Sequence, residues 1–275
     1  MKNSVLTFRK KKQEGRKITV LTSYDYTMAK LVNDAGVDAI LVGDSLGNVM
    51  LGYEDTVSVT MDDMVCHCRA VARAADHAMV VVDMPFMSYQ VSVEETLHNA
   101  GRLMKEGRAN AVKLEGGTRV CPQIHAMVEA GIPVMAHLGL TPQSINAFGG
   151  YKVVGKTKET AEKLLAEALA VQEAGAFSLV LECVPMKLAT LISQKLEIPV
   201  IGIGSGAGCD GQVLVAQDML GMTSGFSAKF LKVFAPVGEV IKTAVSDYIH
   251  EVENGTYPAE EHTFSIDDEI LEKLY

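Results

Sequence analysis

One module recurs along this chain and limits what it can fold into. An apolar-periodic segment ends in Gly, and a short run of Val, Ile and Leu begins within a few residues. Ala35-Gly36 precedes Val37–Val42, and Glu106-Gly107 precedes Ala109–Val112. Ala130-Gly131 precedes Ile132–Ala136, and Ala174-Gly175 precedes Phe177–Val180. Gly accepts the left-handed conformation just past a helix end at low cost, so each junction reads as a helix passing into a strand. The runs do not alternate apolar with polar residues, which is the pattern of strands buried on both faces of a parallel sheet. Helix starts fit the same alternation. Ser92 and Glu95 have capping-box spacing, and Thr60 and Asp63 repeat it with a shorter acid. Between Thr157 and Ala174, Ala161, Leu164, Leu165, Ala168 and Leu169 share one helical face, and Glu159 and Lys163 form an i,i+4 pair.

Extending the pattern gives eight strands: Ile18–Thr22, Ala39–Gly43, Met79–Asp83, Ala111–Glu115, Val134–His137, Ser178–Glu182, Pro199–Ile203 and Gln212–Ala216. Eight parallel strands close naturally into a barrel, and 275 residues suit a (βα)8 TIM barrel of about 250. The expectation is an α/β single domain over 1–275, with an N-terminal arm, a barrel core at about 17–254 and an acidic C-terminal tail over 255–275. An open doubly wound sheet is the alternative. Val237–Val252 reads as a long amphipathic helix. A net charge of −9 excludes bulk binding to nucleic acid or anionic lipid, which needs clustered Lys and Arg. The basic stretch Arg9-Lys10-Lys11-Lys12 is read as a solvated segment ahead of the first strand. Neither a signal-peptide core nor an apolar run of about 18 residues is present, so no membrane association and a cytoplasmic location are expected. Cys66, Cys68, Cys121, Cys183 and Cys209 are odd in number and scattered, unlike a disulfide framework, and Cys66-His67-Cys68 lacks zinc-ligand spacing.

Four of the strand runs end on residues able to do chemistry. The second leads into Asp44-Ser45, the third ends on Asp83, the fourth carries Lys113 and Glu115, and the sixth ends on Glu182. In barrels of this kind ligands bind beyond the carboxyl ends of the strands. Asp44, Asp83 and Glu115 would repel one another there unless a hard divalent cation joined them, and oxygen ligands suit Mg²⁺. The same residue types also serve as helix caps and turn residues. Lys113 and Glu115 alternate, so they share one strand face, either as a substrate anchor beside a metal ligand or as an internal ion pair. Glu182 lies across the barrel, where a partly buried carboxyl suits proton transfer. His137 and Tyr24 are further pocket candidates, each with a structural role as the alternative, and Asp25 either lines the pocket or caps the next helix. The Gly202–Gly208 loop superficially fits a dinucleotide fingerprint, but no second nucleotide-binding half follows it. It reads instead as a loop whose amides face the pocket.

These stretches together resemble the ketopantoate hydroxymethyltransferase family. The matching segments are Thr22–Asp25, Val42–Gly47, Asp83–Met87, Val112–Gly117, His137–Gln143, Leu181–Pro185 and Ile201–Gly206, with Tyr257-Pro258 to Phe264 similar to the family's tail. The resemblance implies a Mg²⁺-dependent (βα)8 barrel and a large homo-oligomer, commonly a decamer. It implies transfer of a hydroxymethyl group from 5,10-methylenetetrahydrofolate, as co-substrate, to 3-methyl-2-oxobutanoate through a Mg-stabilised enolate, giving 2-dehydropantoate for pantothenate biosynthesis. By position it makes Asp44, Asp83 and Glu115 the metal-site carboxylates. Asp44, Ser45, Asp83 and Lys113 become the substrate-binding residues, and Glu182 the proton acceptor. The alternative is a Mg²⁺-dependent oxo-acid lyase or mutase that uses an enolate without folate. A barrel kept only as a binding or scaffold protein is a third reading, and it would be favoured by a missing base or metal ligand.

Overall fold

The computed structural model describes residues 2–150, 152–223, 225 and 228–274. Eight parallel strands form a closed barrel in sequence order, with the eighth pairing back to the first. They are β1 (Ile18–Thr22), β2 (Ala39–Val42), β3 (Met79–Asp83), β4 (Ala111–Glu115), β5 (Val134–Gly139), β6 (Ser178–Glu182), β7 (Val200–Ile203) and β8 (Gly211–Leu214). β5 runs two residues past its expected end. The Leu140 amide donates to the Glu182 carbonyl at 2.8 Å and holds the strand against β6. A Cβ at Gly139, whose φ is +93°, would collide with that same carbonyl, so only glycine lets β5 pass there. β8 begins and ends earlier than expected, because the Ala216 amide turns away to donate to Thr22 Oγ1 at 2.9 Å.

The core has two shells. Ile18, Val20, Ala39, Leu41, Met79, Val81, Ala111, Met135, Val180, Ile201 and Val213 fill the barrel interior. The alternate strand residues, including Ile40, Val80, Val112, Ala136 and Leu179, pack outward against the surrounding helices. This two-residue period also aims the strand ends. Asp83, Lys113, His137 and Glu182 continue the inward-facing series and emerge in the barrel mouth.

The helix starts follow their caps. At Thr60 both arms of the capping box form, whereas at Ser92 the hydroxyl accepts from the Glu95 amide at 3.1 Å. On the helix Lys158–Glu173 the buried face is Leu164, Ala168 and Val171. The ion pair among its described residues is Lys158–Glu162 at 3.8 Å, not the expected Glu159–Lys163.

The basic N-terminal stretch is solvated only in part: Arg9 and Lys10 are exposed, whereas Lys11 and Lys12 are half-buried. Val5–Gln13 is a helix that closes the floor of the barrel. Phe8 is fully buried in the interior cluster and meets Phe177 edge-on, with ring centroids 5.6 Å apart. Lys11 Nζ lies 2.5 Å from Asp38 Oδ1, and Lys12 Nζ lies 2.7 Å from Asp210 Oδ2. Both aspartates directly precede strands, so the lysines are counter-ions to the amino ends of β2 and β8. After β8 the regular alternation stops. A short helix, Ala216–Met219, is followed by the helix Val237–Glu253, which buries none of its residues, and by a tail that turns back through Tyr257. Among the described residues no helix is long and apolar enough to cross a membrane.

Candidate active site

Asp44, Ser45, Asp83, Lys113, Glu115, His137 and Glu182 all line one cavity at the carboxyl end of the barrel. Tyr24 stands beside it, fully buried, with its hydroxyl 2.8 Å from Ser45 Oγ. Asp25 is not part of the site: it caps the helix Tyr26–Asp34 by accepting from the Met28 amide at 2.9 Å. Of the Gly202–Gly208 loop, Ile203 lines this cavity. Gly204, Gly206 and Ala207 line a separate outer groove with Cys183–Met186. Ser205 is buried behind the loop, where its hydroxyl donates to the Leu181 carbonyl at 2.8 Å and ties β7 to β6. Cys66 is exposed and Cys68 buried on the helix Met61–Ala74, and the intervening His67 meets the Tyr24 carbonyl through Nδ1 at 2.6 Å.

Register sets the distances. Asp83 pairs with Lys113 across β3 and β4, and Glu115 pairs with His137 across β4 and β5. Lys113 Nζ is 2.9 Å from Asp83 Oδ1 and 3.4 Å from His137 Nδ1. The His137 ring spans the mouth, with Nδ1 3.4 Å from Glu115 Oε1 and Nε2 3.4 Å from Glu182 Oε2. The Asp44 amide donates to Asp83 Oδ2 at 3.0 Å. Gly43 permits this, since a Cβ there would stand 2.8 Å from Ser45 Oγ.

The site is short of positive charge. Burial pushes the Asp44 carboxyl well above the usual range, and the neighbouring Asp83 and Glu115 push it further. Burial also raises Asp83, although the Lys113 ammonium opposes it. Burial by itself would lower the Lys113 ammonium, but Asp83, Glu115 and Asp44 outweigh it and keep the group charged. For His137, burial and Lys113 act against the imidazolium, yet Glu115 and Glu182 prevail and the pKa rises to about 9. Asp83 Oδ1 and His137 Nε2 are buried and reach only ion-pair partners, Lys113 at 2.9 Å and Glu182 at 3.4 Å, with no aligned hydrogen bond among the described residues.

Sequence reasoning missed the residues that hold the carboxylates in place. Gln143 donates from Nε2 to Asp44 Oδ2 at 2.8 Å and to the Met84 carbonyl at 2.9 Å, while its amide donates to Glu115 Oε2 at 3.1 Å. Tyr89 donates its hydroxyl proton to Gln143 Oε1 at 2.7 Å and accepts from the Glu115 amide at 3.2 Å. Gln143 follows β5 in a turn started by Pro142, the same strand-end position that marked the acids. Tyr89 carries no comparable local signal.

A family model described as Ketopantoate hydroxymethyltransferase matches residues 2–260. The chain belongs to the ketopantoate hydroxymethyltransferase family. A 3-methyl-2-oxobutanoate hydroxymethyltransferase of Clostridium novyi (strain NT) is 62% identical over 275 residues, all of both chains. One of the same name from Enterococcus faecalis (strain ATCC 700802 / V583) is 60% identical, again over the full length of both. Among solved structures, a phosphonopyruvate hydrolase complex with oxalate and Mg²⁺ superposes with a TM-score of 0.62 at 13% identity, covering 98% of this chain and 94% of that one. A 2,3-dimethylmalate lyase of the PEP mutase/isocitrate lyase superfamily gives 0.58 at 16% identity, covering 96% and 93%. These structures share the barrel fold with ketopantoate hydroxymethyltransferases. The full-length relatives place the chain among the hydroxymethyl-transferring enzymes rather than beside the lyases and mutases.

Proposed function

We propose that this chain transfers a hydroxymethyl group from 5,10-methylenetetrahydrofolate to 3-methyl-2-oxobutanoate, giving 2-dehydropantoate, and that it does so with Mg²⁺ in the barrel mouth. The observation that carries the reading is the excess of buried carboxylates around one ammonium, in a chain 62% identical to a named 3-methyl-2-oxobutanoate hydroxymethyltransferase. The donor set fits a hard divalent cation. Asp44, Asp83 and Glu115 offer oxygens only, and all three line the same buried cavity with a single ammonium, Lys113, against Asp83. Gln143 tethers two of these acids, donating to Asp44 Oδ2 and Glu115 Oε2. Asp44, Asp83 and Glu115 would hold the ion, which when bound supplies Lewis acidity to the keto oxygen.

The chain's own residues account for the remaining steps. Lys113 and Ser45 receive the substrate carboxylate, and Tyr24 orients the Ser45 hydroxyl through their 2.8 Å hydrogen bond. Glu182 takes the proton from C3 of the keto acid, and the C–H electron pair moves toward the carbonyl oxygen. His137, between Glu115 and Glu182, keeps the base in place and balances its charge. C3 then bonds to the folate's one-carbon unit, both C–N bonds that held that carbon to N5 and N10 break, water supplies the hydroxyl oxygen, and the two folate nitrogens take up the proton removed from C3 and one from water.

A homo-oligomer, a decamer by the resemblance, is part of the same proposal. It is supported by the helix Val237–Glu253, which leaves Val240, Ile241, Val245, Tyr248, Ile249 and Val252 exposed on a single chain. A biosynthetic enzyme for soluble metabolites also fits the cytoplasm. The test is an assay of the chain with 3-methyl-2-oxobutanoate and methylenetetrahydrofolate, with Mg²⁺ or with a chelator. The expected result is 2-dehydropantoate only with Mg²⁺ and folate together. A product formed from the keto acid without folate would favour the oxo-acid lyase or mutase reading, and no 2-dehydropantoate under any condition would reject the transferase.

A further inference from the structure

The residues given roles so far come mainly from β2 to β6. The rest of the same cavity, at β7, β8 and β1, is of another kind. Ile203, Val213, Val215, Phe230 and Leu231 wall it with apolar surface. Among the polar side chains of this cavity with no part in the chemistry described above are Asp218 and Thr56. Asp218 is on the short helix after β8, and Thr56 is in the segment after β2. Asp218 is half-buried, with no cationic side chain within 4.0 Å among the described residues. Burial raises its carboxyl. Thr56 is only 4% exposed, and its hydroxyl is buried with no hydrogen-bond partner among the described residues.

The character of this wall selects its ligand. A keto acid is an anion, so Asp218 would repel it. The ammonium that could anchor its carboxylate, Lys113, sits with Asp83 on the opposite rim. A carboxylate beside apolar surface instead suits a flat group with two parallel N–H donors on one edge and apolar faces. The aminopyrimidinone edge of a pterin has this form: its N3–H and 2-amino N–H point the same way, at the spacing of two carboxylate oxygens. We infer that Asp218 receives the N3–H and 2-amino donors of the folate pterin, with Thr56 as a further hydrogen-bonding group and Phe230 and Leu231 against the ring. The inference rests on the folate-dependent reading above and adds where the co-substrate is recognised. It divides the mouth into a polar keto-acid half and an apolar pterin half, with the reacting carbons meeting between them.

The test pairs a residue change with a ligand change. The folate-dependent reaction is measured for wild type and Asp218→Asn, each with methylenetetrahydrofolate and with its 2-desamino analogue. In wild type, loss of the 2-amino group should raise KM by about 10- to 100-fold, the range for a hydrogen bond to a charged group. In Asp218→Asn the two folates should differ by less than about 3-fold, because the charged acceptor is already gone. Equal KM values for the two folates in wild type would overturn the inference without any variant. An equal penalty for the analogue in wild type and Asp218→Asn would also overturn it, by showing that another group reads that edge. Failure of the folate reading looks different: wild type would exchange the C3 proton of the keto acid with solvent deuterium but form no 2-dehydropantoate from methylenetetrahydrofolate.

Discussion

Lysine–aspartate pairs lie at both ends of this barrel, half-buried on the floor and buried in the mouth, and they differ in what surrounds them. On the floor, Asp210 Oδ2 accepts from Lys12 Nζ at 2.7 Å, Ser193 Oγ at 2.9 Å and the Val200 amide at 2.8 Å. Asp38 Oδ2 accepts from the Thr19 amide and hydroxyl, and its other oxygen meets Lys11. Each floor acid has its own cation, and its acceptors are taken by nearby donors. In the mouth, one ammonium faces Asp83, Asp44 and Glu115 together. An acid with its own cation has the signature of structure, whereas buried acids in excess of their cations mark a place where a ligand completes the set. The floor is part of the fold, and the mouth is built for something that arrives.

The largest effect that separates the two ends is on activity. Asp83→Asn should lower Mg²⁺-dependent turnover by more than about 100-fold, beyond the usual effect of losing a supporting residue around a metal. Its metal-free stability should suffer little, because relief of repulsion with Asp44 and Glu115 offsets the lost contact with Lys113. Urea unfolding in chelator checks this, and a loss as large as that of a floor variant would erase the distinction. Asp210→Ala should do the opposite. It strands Lys12, Ser193 Oγ and the Val200 amide and should cost about 3 kcal/mol of stability, while Mg²⁺ affinity measured by calorimetry on the folded protein stays the same. Gln143→Ala removes the tether between Asp44 and Glu115 and should weaken Mg²⁺ binding by about 10-fold. Unchanged affinity in that variant would leave Gln143 with a packing role alone.

The smallest effect is on pH dependence. His137 has its folded pKa raised from 6.5 to about 9, so its contribution is complete below 6.5 and is lost as pH rises through about 9. Across that window the metal-free chain should lose at most about 1.4 kcal/mol per pH unit from this group. Unfolding free energies in chelator should fall from pH 6.5 to 9, and His137→Asn should flatten the slope. An equal slope in the variant would contradict the assignment.

Local signals in the sequence carried much of the fold because the barrel is made of repeated local events. Glycines after helices, apolar runs and strand-end acids each occupy a few residues, and the two-residue period of a strand aims Asp83, Lys113, His137 and Glu182 inward without knowledge of their neighbours. What escaped depends on partners far apart in the chain. Lys12 looked solvated because Asp210 lies 198 residues away. Gln143 became important only when folding brought it to Asp44, 99 residues distant. Asp218 is an ordinary acid in sequence, and only the closure of β8 on β1 brings it into the cavity with the metal-site candidates. The division of labour among the mouth carboxylates, ligand against base, came from the family resemblance and not from spacing.

In the proposed reaction Glu182 acts first, removing the C3 proton of a keto acid held at the carboxylate-rich rim. The most direct measurement follows C3–H exchange of 3-methyl-2-oxobutanoate in deuterated water by NMR, with Mg²⁺ and without folate, in wild type and Glu182→Gln. Wild type should exchange, and the variant should exchange at least about 100-fold more slowly, the usual contribution of a positioned base, with keto-acid binding retained. Exchange at the wild-type rate in Glu182→Gln would contradict that role.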